Sequence, residues 1–362
     1  MKKRIMAALL VLSLAAMSIS GCGAGAKTEA KADGNTDAPE GAGELNLFVW
    51  TEYLPDSVVN KFQEETGIKV NVSTYSSNED MLAKVKSEAA GAYDVLQPSD
   101  YMVAQLIAQG MLAELDLDRL PNFSHIGESY KDPSYDPGNK FSVPYMGGAG
   151  AIAVNTDKVD KDITSYADLF DPALEDELVV LDDFRAVIGM TSKSLGYDLS
   201  ETDPAKLEEV SERLMELKKN VALYDSDSPK SALISGDCSA GMIWSAEIAM
   251  AMEEVPSIKV VYPDEGAYLF FDNWVVTKDS PNYDNAIKWI DFMMDPENMA
   301  MVLEEFPYLC ANTDAIAMMG EEYSGNPAKN PPADAIAKGS YVENLDSETL
   351  DIYNEMWTRL KE

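Results

Sequence analysis

From Glu44 onward, short apolar runs alternate with amphipathic stretches, and this alternation limits the chain to a small set of folds. Leu45–Trp50 is expected to be a strand. Pro55 then opens a helical pattern that turns Val58, Val59 and Phe62 inward and stops at Gly67. Ile68–Tyr75 returns to alternation, and Asn78 is placed to cap a helix with Met81, Leu82 and Val85 on one face. Asp94–Ser99 is a short strand, and Tyr101–Ala108 a further helix ended by Gly110. The same order resumes after about Ile152, with strand-like runs at Leu178–Leu181, Val221–Tyr224, Gly241–Trp244 and Lys259–Tyr262. Between them Pro204–Lys219 is a helix with a charged outer face. Strands that alternate with helices imply an α/β protein of doubly wound sheets. No Ser/Gly-rich linker and no internal repeat divides the body, so two lobes must be joined by ordered crossings. The candidates are Phe141–Asn155 and Tyr268–Thr277, both apolar and extended.

Charge narrows the function. The 362 residues include 63 acidic and 28 basic side chains, for a formal net charge of −35. That sign opposes nucleic acid and anionic lipid surfaces, both of which recruit basic faces. A hydrophobic content of 46% is too high for a disordered acidic chain. The single histidine, His125, lies in a polar loop and leaves no imidazole pair for catalysis or metal binding. No metal and no cofactor is expected. Gly148-Ala149-Gly150-Ala151-Ile152-Ala153 fits G-x-G-x-x-A, but a dinucleotide site needs a helix there, whereas Ala151–Asn155 continues as a strand. These glycines read as close backbone passage at a hinge. Cys238 and Cys310 are open to two readings, a disulfide or two buried thiols. Met293, Met294, Met299 and Met301 are core filler.

The first residues have a separate logic. A basic Met-Lys-Lys-Arg start precedes a 15-residue apolar run, Ile5 to Ile19, too short to span a bilayer as a helix. It ends in Ile19-Ser20-Gly21-Cys22, which resembles the bacterial lipobox. The expectation is a lipoprotein signal peptide over 1–21 and a lipidated Cys22 at the head of a flexible tether over 22–44, poor in large apolar side chains. The body would then sit outside the cytoplasm, anchored at the outer face of the cell membrane.

Ligands of doubly wound sheets gather beyond the carboxyl ends of the strands. Here those ends read Trp50-Thr51-Glu52-Tyr53, Ser73-Thr74-Tyr75 and Pro98-Ser99-Asp100-Tyr101, rich in aromatics and hydroxyls. Asp182-Asp183 closes an apolar strand, and Asp272 lies within Phe270-Phe271-Asp272-Asn273-Trp274. Carboxylates among aromatics are partly desolvated and want partners. Two acids of this kind suit a glycoside hydrolase; a pocket for ammonium groups suits them more naturally.

These motifs resemble the spermidine/putrescine-binding proteins of bacterial ABC importers. The likeness runs through Phe62-x-x-Glu65-Thr66-Gly67-Ile68-Lys69-Val70, Val143-Pro144-Tyr145, Leu181-Asp182-Asp183-x-Arg185, Ser226-Asp227-x-Pro229 and Gly241-Met242-Ile243-Trp244 to Tyr308. It implies a two-lobed periplasmic-binding-protein fold of type II, each lobe a doubly wound sheet, with crossing hinge strands. Lobe 1 would hold 45–148 plus 271–316, and lobe 2 149–270 plus 317–362. By the resemblance, Trp50, Tyr53, Tyr101, Trp244 and Tyr308 match aromatic ligand positions, Thr51, Ser99 and Ser226 polar ones, and Glu52, Asp183 and Asp272 charged ones. Aromatic faces would cover methylenes and attract cations, while carboxylates neutralise ammonium groups. The implied protein is a monomeric receptor without catalysis that delivers polyamine to a permease.

Three departures from the family pattern stand out. Ala186 replaces a Glu of spermidine-type members. Phe270 replaces a Trp, as in putrescine-selective relatives. A C-terminal Gln has no clear counterpart near Tyr341-Val342-Glu343. Glu247, three residues after Trp244, is a candidate to take over part of the role lost at Ala186; the alternative is an exposed acid in a first helical turn. The preference between putrescine and spermidine stays open, as does another small organic cation.

Overall fold

The computed structural model describes residues 42–362. The expected signal peptide, Cys22 and most of the tether lie outside the described residues.

The first part of the body alternates as the sequence predicts: β1 (Glu44–Trp50), α1 (Asp56–Thr66), β2 (Lys69–Tyr75), α2 (Asn78–Ser87), β3 (Val95–Leu96) and α3 (Asp100–Ala108). Pro55 precedes α1, which buries Val58, Val59 and Phe62, and Gly67 ends the helix at φ 70°. The cap of α2 is one residue earlier than expected. Ser77 accepts from the Asp80 N–H, which frees the Asn78 side chain to bond Ser99 instead. After β4 (Ser142–Asn155) the pattern repeats with β5 (Leu178–Val180), α4 (Phe184–Ser194), α5 (Pro204–Leu217), β6 (Val221–Tyr224), α6 (Lys230–Ser235), β7 (Ala240–Trp244), α7 (Ser245–Glu254) and β8 (Ile258–Val261).

The chain returns through β9 (Tyr268–Val276) to α8 (Tyr283–Met293), α9 (Pro296–Glu305) and β10 (Leu309–Cys310). It ends with α10 (Thr313–Ser324), α11 (Ala333–Lys338), β11 (Ser340–Tyr341) and α12 (Ser347–Lys361).

The strands form one sheet with the order β2-β1-β3-β9-β4-β7-β5-β6. β1 is parallel to β2 and β3, and β5 is parallel to β6 and β7. Each wing therefore has its first strand in the middle, its second outside and its third inside, a topological repeat that leaves no trace in the residues. Between the wings β9 and β4 run antiparallel to each other, β9 antiparallel to β3 and β4 antiparallel to β7, while the short β11 adds to β9 in parallel. Every residue of both is buried, which explains why they read as continuous apolar runs without alternation. The result is a two-lobed mixed α/β fold. The ladder between β4 and β9 slips its register between Pro144 and Gly147. A Cβ on Gly147 would lie 2.5 Å from the Phe270 carbonyl oxygen, so the glycine-rich run serves close strand passage.

Some details differ from expectation. α10 packs on α9, so a lobe boundary at 316/317 would cut a helix that stays with the first wing. The chain reaches the second wing later, where Tyr262 donates to the Pro327 carbonyl and Lys329 pairs with Glu253. Cys238 and Cys310 are both buried free thiols. His125 ends a short 3-10 turn and pairs with Asp314 at 2.6 Å. Met293, Met294 and Met299 are core residues, and Met301 packs at its edge.

Candidate functional site

The carboxyl ends of β1, β2 and β3 face those of β5, β6 and β7 across a narrow cleft floored by β9, whose free volume is about 50 Å³. Trp50, Thr51 and Tyr53 enter it from the end of β1, and Ser99 from the end of β3. Asp183 enters after β5, Ser226 after β6 and Trp244 at the end of β7. Phe270 and Asp272 rise from β9 on alternate positions, and Tyr308 comes from the turn before β10.

The aromatic side chains touch one another in sequence. Tyr53 meets Tyr308 edge to face at 4.7 Å, Tyr308 lies 6.3 Å from Phe270, and Phe270 meets Trp244 at 5.0 Å. Tyr268, which the motifs missed, extends the wall beside Trp244 at 5.9 Å. Its place on β9, two residues before Phe270, puts it on the same face by the period of a strand. Such a wall covers methylenes and turns ring faces toward a cation.

Asp272 is the electrostatic centre. Its side chain is 3% exposed. It accepts from the Ser99 hydroxyl at 2.6 Å and from the Tyr53 hydroxyl at 2.9 Å. Ser99 occupies the N-cap position of α3 but makes no capping bond; its hydroxyl goes to Asp272 while Asn78 holds it from behind at 3.0 Å. Burial raises the Asp272 pKa to about 7, against the lowering effect of Ser99, Tyr53 and the nearby Trp50 indole. The Trp50 N–H is itself buried without a formed hydrogen bond. Among the described residues no lysine or arginine pairs with Asp272; its partners are neutral. A desolvated carboxylate in that position favours a visiting cation.

Asp183 stands on the opposite wing. One carboxylate oxygen caps α4 by accepting from the Ala186 N–H at 2.9 Å. Burial raises its pKa to about 6, opposed chiefly by that bond. Ala186 thus contributes a backbone donor where a spermidine-type Glu would stand. Among the described residues the buried Ser226 hydroxyl has no partner, and Ser76, Asn78 and Asp227 complete the polar lining.

Three expected residues stand outside this lining. Tyr101 is buried behind it: its hydroxyl meets Glu79 at 3.2 Å and its ring lies under the Arg185 guanidinium at 4.4 Å. Arg185 in turn donates to Glu79 at 2.7 Å, which ties α4 to α2 across the cleft. Glu52 and Glu247 are joined by Lys230, whose ammonium lies 2.7 Å from Glu52 and 3.0 Å from Glu247. Glu247 occupies the first turn of α7 but is 1% exposed, so it is no surface acid. Burial pushes its pKa up and Lys230 pulls it back. Burial would lower the Lys230 pKa, yet Glu247 and Glu52 together raise it. Glu52 itself sits at φ 50°, a left-handed conformation uncommon outside glycine, in the turn that aims it at Lys230. Lys230 gave no signal in the sequence because its partners are distant in the chain.

A family model described as bacterial extracellular solute-binding protein matches residues 57–332. The chain is 36% identical over 318 residues to the spermidine/putrescine-binding periplasmic protein of Salmonella typhimurium, covering 88% of this chain and 91% of that one. It is 33% identical over 357 residues to spermidine/putrescine-binding periplasmic protein 1 of Haemophilus influenzae, covering 98% of each. Among solved structures, the spermidine/putrescine ABC transporter substrate-binding protein of Streptococcus pneumoniae superposes with a TM-score of 0.74 at 31% identity, over 88% of this chain and 98% of that one. With its two parallel wings, crossing strands and cleft at the strand ends, the chain belongs, with the spermidine/putrescine-binding periplasmic proteins, to the bacterial extracellular solute-binding protein family.

Proposed function

We propose that this protein is the polyamine receptor of an ABC importer, and that it holds its ligand between the two lobes and performs no chemistry on it. The observation that carries this reading is Asp272: a buried carboxylate, bonded only to neutral donors, inside a wall of aromatic rings. A polyamine brings an ammonium to that carboxylate and a methylene chain to the rings. Asp183, on the facing wing, takes the other end, and the unpartnered Ser226 hydroxyl accepts one of its remaining N–H groups. The names of the relatives, which include a putrescine/cadaverine-binding protein of Pseudomonas aeruginosa, support the ligand class. They also support an extracytoplasmic location and a permease as partner.

The lobes close about β4 and β9, with Arg185–Glu79 and Lys230–Glu52 as ties across the mouth. The lipobox at Ile19–Cys22 supports a lipid anchor at Cys22, and the receptor acts as a monomer. Isothermal titration of the purified protein with putrescine, cadaverine, spermidine and spermine tests the assignment. Stoichiometric micromolar or tighter binding of at least one amine is expected, with the amine recovered unchanged. Absence of binding by all four at micromolar concentration defeats it.

A further inference from the structure

The Glu52–Lys230–Glu247 cluster assembles three distant parts of the chain beside the cleft. Lys230 Nζ reaches Glu52 at 2.7 Å, Glu247 at 3.0 and 3.2 Å, and the Ser228 hydroxyl at 3.1 Å. Three partners exhaust the three N–H groups of an ammonium. Two carboxylates and a hydroxyl are also the donor-hungry set that a ligand ammonium would seek. The cluster is adjacent to the cleft: Thr51 and Tyr53, on either side of Glu52, both line it, as does Trp244 one turn before Glu247. Tyr308 lies within electrostatic reach of Glu247, Asp272 and Glu52 together. Yet neither Glu52 nor Glu247 lines the cleft, because the lysine has already taken them.

We propose that Lys230 is a specificity-determining residue, an ammonium of the protein's own that fills the Glu52–Glu247 subsite and leaves the cleft to short diamines. The inference rests on the polyamine reading and deepens it. With that subsite filled, the desolvated carboxylates left to a ligand are Asp272 and Asp183, one on each side of the aromatic wall. A diamine satisfies both. A triamine brings a third ammonium that must either displace Lys230 or lie unpaired in the cleft, and an unpaired desolvated charge is costly. The remaining acid of the lining, Asp227, is exposed and offers only a screened contact. Without the lysine, Glu247 becomes a buried carboxylate with no cation, the condition that draws a ligand ammonium to Asp272.

Titration calorimetry with putrescine and spermidine on wild type, Lys230→Met and Lys230→Gln provides the test. Wild type is expected to bind putrescine at least about tenfold tighter than spermidine. Each variant should shift that ratio about tenfold or more toward spermidine, the yield of one charge-assisted hydrogen bond. Lys230→Gln retains an amide for Glu247, so it reads the same effect if thermal melting finds Lys230→Met unfolded. Wild type that binds spermidine as tightly as putrescine overturns the proposal without any variant. Equal changes for both amines in the variants overturn it too. Wild type that binds neither amine defeats the polyamine reading itself, so the two failures are told apart.

Discussion

Binding should be coupled to proton release, and the coupling can be worked from two carboxylates. Burial holds the Asp272 pKa at about 7 and that of Asp183 at about 6. A bound ammonium stabilises the charged forms and returns both groups toward or below the ordinary value of about 3.9. At pH 6 a group of pKa 7 is about 10% ionised and one of pKa 6 about half, so binding expels roughly 1.4 protons. At pH 8 both are largely ionised and almost none leave. The affinity should therefore fall about 20-fold from pH 8 to pH 6, while the amine remains fully charged. Calorimetry in two buffers of different ionisation enthalpy measures the protons directly. Asp272→Asn should remove most of the proton release and weaken binding by about 10- to 150-fold, the worth of a charged hydrogen bond. The empty protein should follow the opposite trend. A carboxyl whose folded-state pKa is raised stabilises the fold while protonated, and that contribution is lost as pH rises from about 4 through about 7. Ligand-induced gain in melting temperature should thus grow with pH. A dissociation constant constant within twofold between pH 6 and 8, with no buffer-dependent heat, would refute the electrostatic account of Asp272.

Two further tests address the scaffold. Gly147→Ala forces a Cβ against the Phe270 carbonyl and the Phe271 ring, both at 2.5 Å, and should cost about 1–3 kcal/mol of stability by denaturant titration; an unchanged midpoint would mean that the strands spread freely. Asp100 is buried, which lifts its pKa to about 8 against the bond from the Tyr101 N–H. Its charging penalises the fold as pH rises from about 4 through about 8, so Asp100→Asn should melt a few degrees higher than wild type at pH 9 and no higher at pH 5.

What the residues disclosed and what they withheld have the same cause. Trp50, Ser99, Asp183 and Trp244 were legible because each follows an apolar run that could only be a buried parallel strand, and strand ends are where such sheets bind. Asp272 was legible as polar punctuation in an otherwise apolar crossing, and Phe270 as the residue two positions before it on the same face of the strand. Tyr101 was misplaced although it follows a correct strand end: one residue into α3 the helix turns it away, toward Arg185 and Glu79. Asn78 looked like a cap because cap preference is local, while its bond to Ser99 is tertiary. Lys230 was invisible for the same reason at larger scale, since its partners lie 178 and 17 positions away. The identical strand order of the two wings could not be seen in a chain whose halves share geometry but not side chains.

The place of β9 in the sheet bears on how the chain matures. It inserts between β3 and β4, and is the only described strand that pairs with both. Until residue 276 is available, the first wing has an open edge at β3 and β4 has no partner there. Three-quarters of the polypeptide must therefore exist before the central ladder can close, and that closure joins segments some 180 residues apart. Contacts of such long range form slowly because the loop entropy is lost before the pairing is gained. A chain emerging N-terminus first thus stays unfinished until late, with the β3 edge of the first wing unpaired until β9 arrives.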